Sequence, residues 1–195
     1  MTAGGARTPS GRVRIVAGSK RGQRLKVPAA SDVRPTSERV REAIFAALGP
    51  VEGLRVLDLF AGTGAMGLEA LSRGARCCAF VESDRAVAAV LRVNIAGLGF
   101  ESSSKVYVAD YWTSVQRLAA GSEPFDLLFV DPPYRMLPEV EAKLEPLLPG
   151  LIGEDGAVVI EGPRSAGAGF SREPIFNRVY GDTRVIMISM RRNVQ

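Results

Sequence analysis

The stretch Val56-Leu57-Asp58-Leu59-Phe60-Ala61-Gly62-Thr63-Gly64-Ala65-Met66-Gly67 limits what this chain can fold into more than any other. An apolar strand runs into a glycine loop, and the loop opens a helix. Gly62 and Gly64 permit positive φ and let a ligand approach the backbone closely. Leu68, Leu71 and the neighbouring alanines give the helix an apolar face, and Gly74 stops it. A second apolar strand, Cys77-Cys78-Ala79-Phe80-Val81, follows at once and ends in an acid, Glu82.

The alternation continues along the chain. Strands are predicted near 54–59, 76–82, 104–109, 125–130 and 156–161, and helices near 65–73, 84–97, 111–119 and 138–147. Such alternation gives a parallel sheet with helices on both faces. Two last strands, near 174–180 and 183–190, are joined by Gly181-Asp182, and so short a turn forces antiparallel pairing. Upstream, Arg12–Ala17 alternates charged and apolar residues, Gly18–Gly22 is a turn, and Gln23–Val27 returns, which predicts a small basic hairpin. Thr36 or Ser37 then caps a helix with the stripe Val40, Ile44, Phe45 and Leu48. Residues 162–170 read as a mobile loop. The expected organisation is a disordered tail at 1–11, a β-hairpin extension and link at 12–35, and the main domain at 36–195.

Four acids fall at predicted strand ends: Asp58, Glu82, Asp110 and Asp131. Ligands of open α/β sheets bind at the carboxyl ends of strands, so these acids converge on one crevice. Gly62-x-Gly64-x-x-Gly67, with an acid about 20 residues on, matches the dinucleotide fingerprint, in which the acid accepts from ribose hydroxyls. NAD and S-adenosylmethionine both carry adenosine and satisfy that pattern equally. Two features favour the second. Asp58 stands where it would repel a pyrophosphate and hold an ammonium. The turn Asp131-Pro132-Pro133-Tyr134 follows the run Phe125–Val130, and hydride transfer needs no such turn. Its prolines lock φ and lack N–H donors, so the carbonyls of Asp131 and Pro132 can point into a pocket. Tyr134 offers a face for stacking. The turn suits an sp² nitrogen held in its ring plane while its hydrogens are accepted; taken alone it is equally a Pro-Pro loop closing a strand. Asp110 accepts from an adenine amine, caps the next helix, or does both, with Tyr111 or Trp112 beside the ring.

Composition excludes several chemistries. The chain of 195 residues has no histidine and two cysteines. A Ser-His-Asp or Cys-His arrangement is impossible, and the usual zinc sites are excluded, so no metal is expected. Cys77 and Cys78 are adjacent on a strand, where side chains alternate faces, which fits a reduced, cytoplasmic setting. No apolar run reaches the length of a membrane span. Charge is uneven: residues 1–41 hold ten of the 25 Lys and Arg and only Asp32 and Glu38 as acids. That excess suggests a polyanion, with Arg12, Arg14, Lys20, Arg21, Arg24, Lys26 and Arg34 as RNA contacts.

Asp58-x-x-x-Gly62-x-Gly64, Glu82, Asp110 and Asp131-Pro132-Pro133-Tyr134 resemble the ordered motifs of class I S-adenosylmethionine-dependent methyltransferases. Arg14–Gly18, Arg34-Pro35-Thr36 followed by Glu38–Glu42, and Gly67–Gly74 are similar to the RsmD family, bacterial 16S rRNA guanine-N2 methyltransferases. The resemblance runs from about Arg12 to Arg192. It implies a Rossmann-like fold of seven strands with the last antiparallel. It also implies methyl transfer from S-adenosylmethionine to a guanine N2 of 16S rRNA, free or in the small ribosomal subunit, by a monomer. The implied cofactor set is Asp58, Phe60, Ala61, Gly62, Thr63, Gly64, Glu82, Ser83, Asp110 and Tyr111; Asp131, Pro132, Pro133 and Tyr134 are the implied catalytic turn. The rival readings are an adenine-N6 DNA methyltransferase, which uses the same turn, a glutamine-N5 protein methyltransferase, and a non-catalytic RNA-binding protein.

Overall fold

A computed structural model describes residues 13–28, 37–121, 123–167 and 170–191. Seven strands form one sheet in the order β3-β2-β1-β4-β5-β7-β6. β1 (Arg55–Asp58), β2 (Cys77–Glu82), β3 (Ser104–Val108), β4 (Phe125–Val130) and β5 (Ile152–Pro163) run parallel. β7 (Thr183–Ser189) enters antiparallel between β5 and β6 (Pro174–Tyr180). The chain steps outward from β1 to β3 and then returns to lay β4 on the other side of β1. That reversal is a switch point, where strand ends leave a crevice.

Side-chain alternation along the strands divides the core in two. Val56, Phe80, Leu127 and Phe129 pack under α1 (Glu38–Leu48), α2 (Ala65–Ser72) and α3 (Arg85–Leu98). Leu57, Val81, Leu128 and Val130 pack under α4 (Tyr111–Ala119), α5 (Leu137–Leu144) and α6 (Leu148–Leu151). Ser37 caps α1 by accepting from Val40 N; Thr36 lies outside the described residues.

Two expectations need correction. The helix predicted near 138–147 breaks after Leu144 into a tight turn over Glu145–Leu147 and then α6. Pro146 and Pro149 lack the N–H that would continue it. The 162–170 segment is tethered where it is described: Arg164 N donates to Asp182 O (2.7 Å), Ala166 N donates to Pro163 O (2.8 Å), and Phe170 is buried. The predicted N-terminal hairpin is present: Ile15 N donates to Gln23 O (2.9 Å), Gly22 N to Ile15 O (2.8 Å) and Leu25 N to Val13 O (2.8 Å), with Arg14 and Arg24 bridged antiparallel between them.

Further backbone groups of that arm find partners on α2. Val16 N and Ala17 N donate to the carboxylate of Glu69 on α2, at 2.7 and 2.9 Å. Glu69 is fully buried and also accepts from Arg73 Nε (2.8 Å). Ser72 Oγ donates to Ala17 O (2.6 Å) and accepts from Lys20 N (2.9 Å), while Ser72 O accepts from Ser19 N (2.7 Å). Val13, Ile15 and Leu25 of the arm are buried in the core that α1, α2 and α3 cover. Seating requires glycine at position 18, because φ is 83° and a Cβ there would lie 1.8 Å from Ser72 O. Gly18→Ala should therefore lift the arm, cost about 1–3 kcal/mol of stability, and speed amide exchange at Val16, Ala17 and Ser19. Urea denaturation and exchange measurements check this; an unchanged protein would show that the arm is not seated on α2.

Candidate active site

The parallel ladder continues past the strand ends. Leu59 N donates to Phe129 O (3.0 Å) and Ala61 N to Val81 O (2.9 Å), which carries the chain to Gly62 at the carboxyl edge of the sheet. The three glycines then do different work. A Cβ on Gly64 (φ 84°) would lie 2.4 Å from Leu91 Cδ1, and one on Gly67 2.3 Å from Phe80 Cε1. Those two let the loop and α2 sit close to α3 and the sheet. Gly62 (φ 53°) meets nothing within 4 Å. Its bare backbone faces open space, where a ligand can approach.

Two carboxylates fix the loop from below. Asp58, 4% exposed, accepts from Gly67 N through Oδ2 (2.9 Å). Burial pushes its pKa up to about 7, against the lowering effect of the Gly67 bond and with help from the Glu82 charge. Glu82 accepts from Gly62 N (2.9 Å) with one oxygen and from Asp84 N (2.8 Å) with the other. Ser83, exposed, lies between Glu82 and Asp84, the residue that caps α3. Asp110 is exposed and caps α4, accepting from Trp112 N (2.9 Å) and Thr113 N (3.3 Å).

Aromatic side chains wall the neighbouring edge. The rings of Phe60 and Tyr111 lie 5.2 Å apart between centroids. Tyr111 is buried and its hydroxyl donates to Glu139 (3.5 Å); Lys143 pairs with Glu139 and lies over the Trp112 ring. Desolvation raises the Tyr111 pKa. On the other side of the switch point, Asp131 is half-buried, Pro132 buried, and Pro133 and Tyr134 exposed. Met136 N donates to Pro133 O (2.8 Å) and closes the turn. Tyr134, 42% exposed, holds its ring at the rim with its hydroxyl 3.2 Å from that of Thr183.

The structure thus gathers Asp58, Phe60–Gly64, Glu82, Ser83, Asp110, Tyr111 and Asp131–Tyr134 along the carboxyl edge of four adjacent strands. The basic residues lie on the arm. Arg14 is engaged by Glu38, its Nε 3.0 Å from each carboxylate oxygen. Lys20 reaches over the Phe100 ring, and Arg21, Arg24 and Lys26 are exposed. Arg12 and Arg34 lie outside the described residues. Three residues went unread in the sequence: Glu69, Asn94 and Thr183. A polar residue inside the apolar stripe Ala88, Leu91, Ile95 and Leu98 was the available signal for Asn94. Among the described residues no helix is long and apolar enough to cross a membrane, and no three His, Cys, Asp or Glu residues group as metal ligands.

Fold and edge together define a class I methyltransferase. The family described as Conserved hypothetical protein 95 matches residues 13–186. The YlbH protein of Bacillus subtilis is 38% identical over 158 residues, 78% of this chain and 83% of that one. Ribosomal RNA small subunit methyltransferase D of Escherichia coli K12 is 43% identical over 127 residues, 65% of this chain; the match spans 62% of that enzyme's length, less than two thirds. The solved yhhF protein of E. coli superposes with a TM-score of 0.78 at 32% identity, over 93% of this chain and 99% of that one. An RNA methyltransferase from Salinibacter ruber, solved with S-adenosyl-L-homocysteine, shares the fold at 17% identity (TM-score 0.63, 83% of this chain and 97% of that one). The chain belongs to the matched family, the RsmD family of methyltransferases.

The buried Asp58 has a consequence for stability. Its pKa rises from 3.8 to about 7 on folding, so its contribution is full below pH 4 and is lost as pH climbs to about 7. The span corresponds to about 4 kcal/mol. Asp58→Asn keeps an acceptor for Gly67 N without the charge. The stability difference between variant and wild type should therefore shift in favour of the variant between pH 4 and 7 and level off above. Urea denaturation across pH checks it, and parallel profiles would contradict it.

Proposed function

We propose that this protein transfers a methyl group from S-adenosylmethionine to the exocyclic N2 of a guanine in 16S rRNA, with the RNA or the small ribosomal subunit as substrate. The observation that carries the reading is the switch point itself. It sets an open glycine loop backed by acids beside an Asp-Pro-Pro-Tyr turn with an exposed ring. Membership of a methyltransferase family and likeness to the E. coli small-subunit rRNA enzyme support it.

The residues fit the cofactor. Gly62 has no side chain to fill the space in front of it. Each Glu82 oxygen holds one backbone N–H, which orients the carboxylate and leaves lone pairs for ribose hydroxyls. Asp58 and the loop would hold the amino-acid end. Asp110 would accept from the adenine amine through Oδ2, since Oδ1 carries the helix cap. Phe60, Ala61, Thr63, Ser83 and Tyr111 would complete the walls. When bound, S-adenosylmethionine supplies a methyl group already activated on a sulfonium.

The rest of the chemistry belongs to the chain. A guanine amine is a poor nucleophile because its lone pair is delocalised into the ring. Asp131 and the turn carbonyls accept the amine hydrogens and favour a tetrahedral nitrogen with its lone pair aimed out of the ring plane. The base must leave its stack to reach the edge. Tyr134 stacks on it there, its ring held by the Thr183 contact. Positioning and preorganised acceptors supply most of the rate. Asp131 or water takes the released proton. On the arm, Lys20, Arg21, Arg24 and Lys26 contact phosphates.

Labelled S-adenosylmethionine with 16S rRNA or small subunits tests the reading. Label should map to N2 of one guanine; label on another atom, or none, contradicts it. Asp131→Ala should lower turnover by about 100-fold or more while cofactor affinity stays within a few fold. A normal rate would remove Asp131 from the chemistry. Replacing Lys20, Arg21 and Arg24 together with Ala should weaken RNA binding and flatten the slope of log K against log salt by about 2. Identical slopes would move the RNA off the arm.

A further inference from the structure

Asn94 lies in the apolar stripe of α3 and is 4% exposed. A buried primary amide must satisfy two N–H donors and a carbonyl. Asn94 satisfies them on two separate segments. Its Oδ1 accepts from Lys26 N (2.7 Å), and its Nδ2 donates to Lys26 O (3.0 Å) and to Thr63 O (2.9 Å). Toward Lys26 the side chain stands in for a paired strand, engaging both backbone groups of one residue. Its second hydrogen closes on the residue between Gly62 and Gly64. Glu82 holds the start of the glycine loop at Gly62, and Asp58 reaches past its end to Gly67. Asn94 holds its middle, and of these three residues it also holds the basic arm.

We propose that Asn94 is a positioning residue that couples polyanion binding on the arm to cofactor binding in the glycine loop. The inference rests on the reading that the arm binds RNA. Arg24 and Lys26 are exposed beside the Lys26 backbone that Asn94 grips. RNA phosphates bound there restrain that backbone, and the planar amide passes the restraint to Thr63. Glycine flanks Thr63 on both sides, so the loop needs such outside support to keep one shape. Ordering by one ligand lowers the ordering cost met by the other, and the effect is reciprocal. RNA and cofactor then bind with positive cooperativity.

The test uses the full chain and S-adenosylhomocysteine as probe, with affinity measured by calorimetry with and without saturating 16S rRNA. In the wild type RNA should tighten the probe by about tenfold. In Asn94→Ala and Asn94→Asp the ratio should fall to near one, whereas a merely structural role would leave the ratio alone. A wild-type ratio near one, or an unchanged ratio in the variants, overturns the inference. Absence of RNA binding by the wild type overturns the reading beneath it as well, and so separates the two failures. If neither variant folds, amide exchange on the cofactor-free wild type decides. RNA should slow exchange at Lys26 and through residues 62–64, and a loop that does not respond overturns the proposal.

Discussion

The carboxylate of Asp58, buried at the end of β1, accepts from Gly67 N and so fixes where α2 begins. Much follows from that bond. It draws the first turn of α2 onto the sheet, where only glycine fits at position 67 because Phe80 and Cys78 lie against the backbone. It sets the far end of the loop, and Glu82 holds the near end at Gly62. The two ends of the cofactor loop are held before any ligand arrives, and its middle, at Thr63, is left to Asn94. The cost is a desolvated acid, visible in its raised pKa.

α2 has a second task. Its first turn is set by the sheet, while Glu69 and Ser72 further along it hold the backbone of the basic arm. α3 repeats the arrangement, with Asp84 capping it next to the Glu82 carboxylate and Asn94 gripping Lys26. The arm and the glycine loop therefore share two helices. In this protein the surface for a polyanion and the edge for a small ligand are two sides of one packed unit.

Much of this was legible in the sequence, and the reasons are local. β4 and α4 follow the pattern because a pure apolar run and an Asp-capped amphipathic stretch need no distant information. The four acids and the Asp-Pro-Pro-Tyr turn were placed by their positions after strands. The hairpin of the arm was legible from its alternation and its glycine turn, but its seat was not, because the side chains that hold it are some fifty to seventy residues away. Ile15 and Leu25 pair across the hairpin as alternation suggests, while Glu69, Ser72 and Asn94 take backbone groups of Val16, Ala17, Lys20 and Lys26. The break after Leu144 could have been read from Pro146 and Pro149, which outweigh the helical stripe around them. Thr183 gave no signal, since its contact with Tyr134 depends on β7 sitting beside β5.

Amide hydrogen exchange at Gly62 and Gly67 in the ligand-free protein tests the central claim, that the chain's own carboxylates fix the two ends of the loop. Both N–H groups should be protected well beyond unstructured rates, and S-adenosylmethionine should add little at Gly67. Exchange at unstructured rates without ligand, with protection only on binding, would contradict the account.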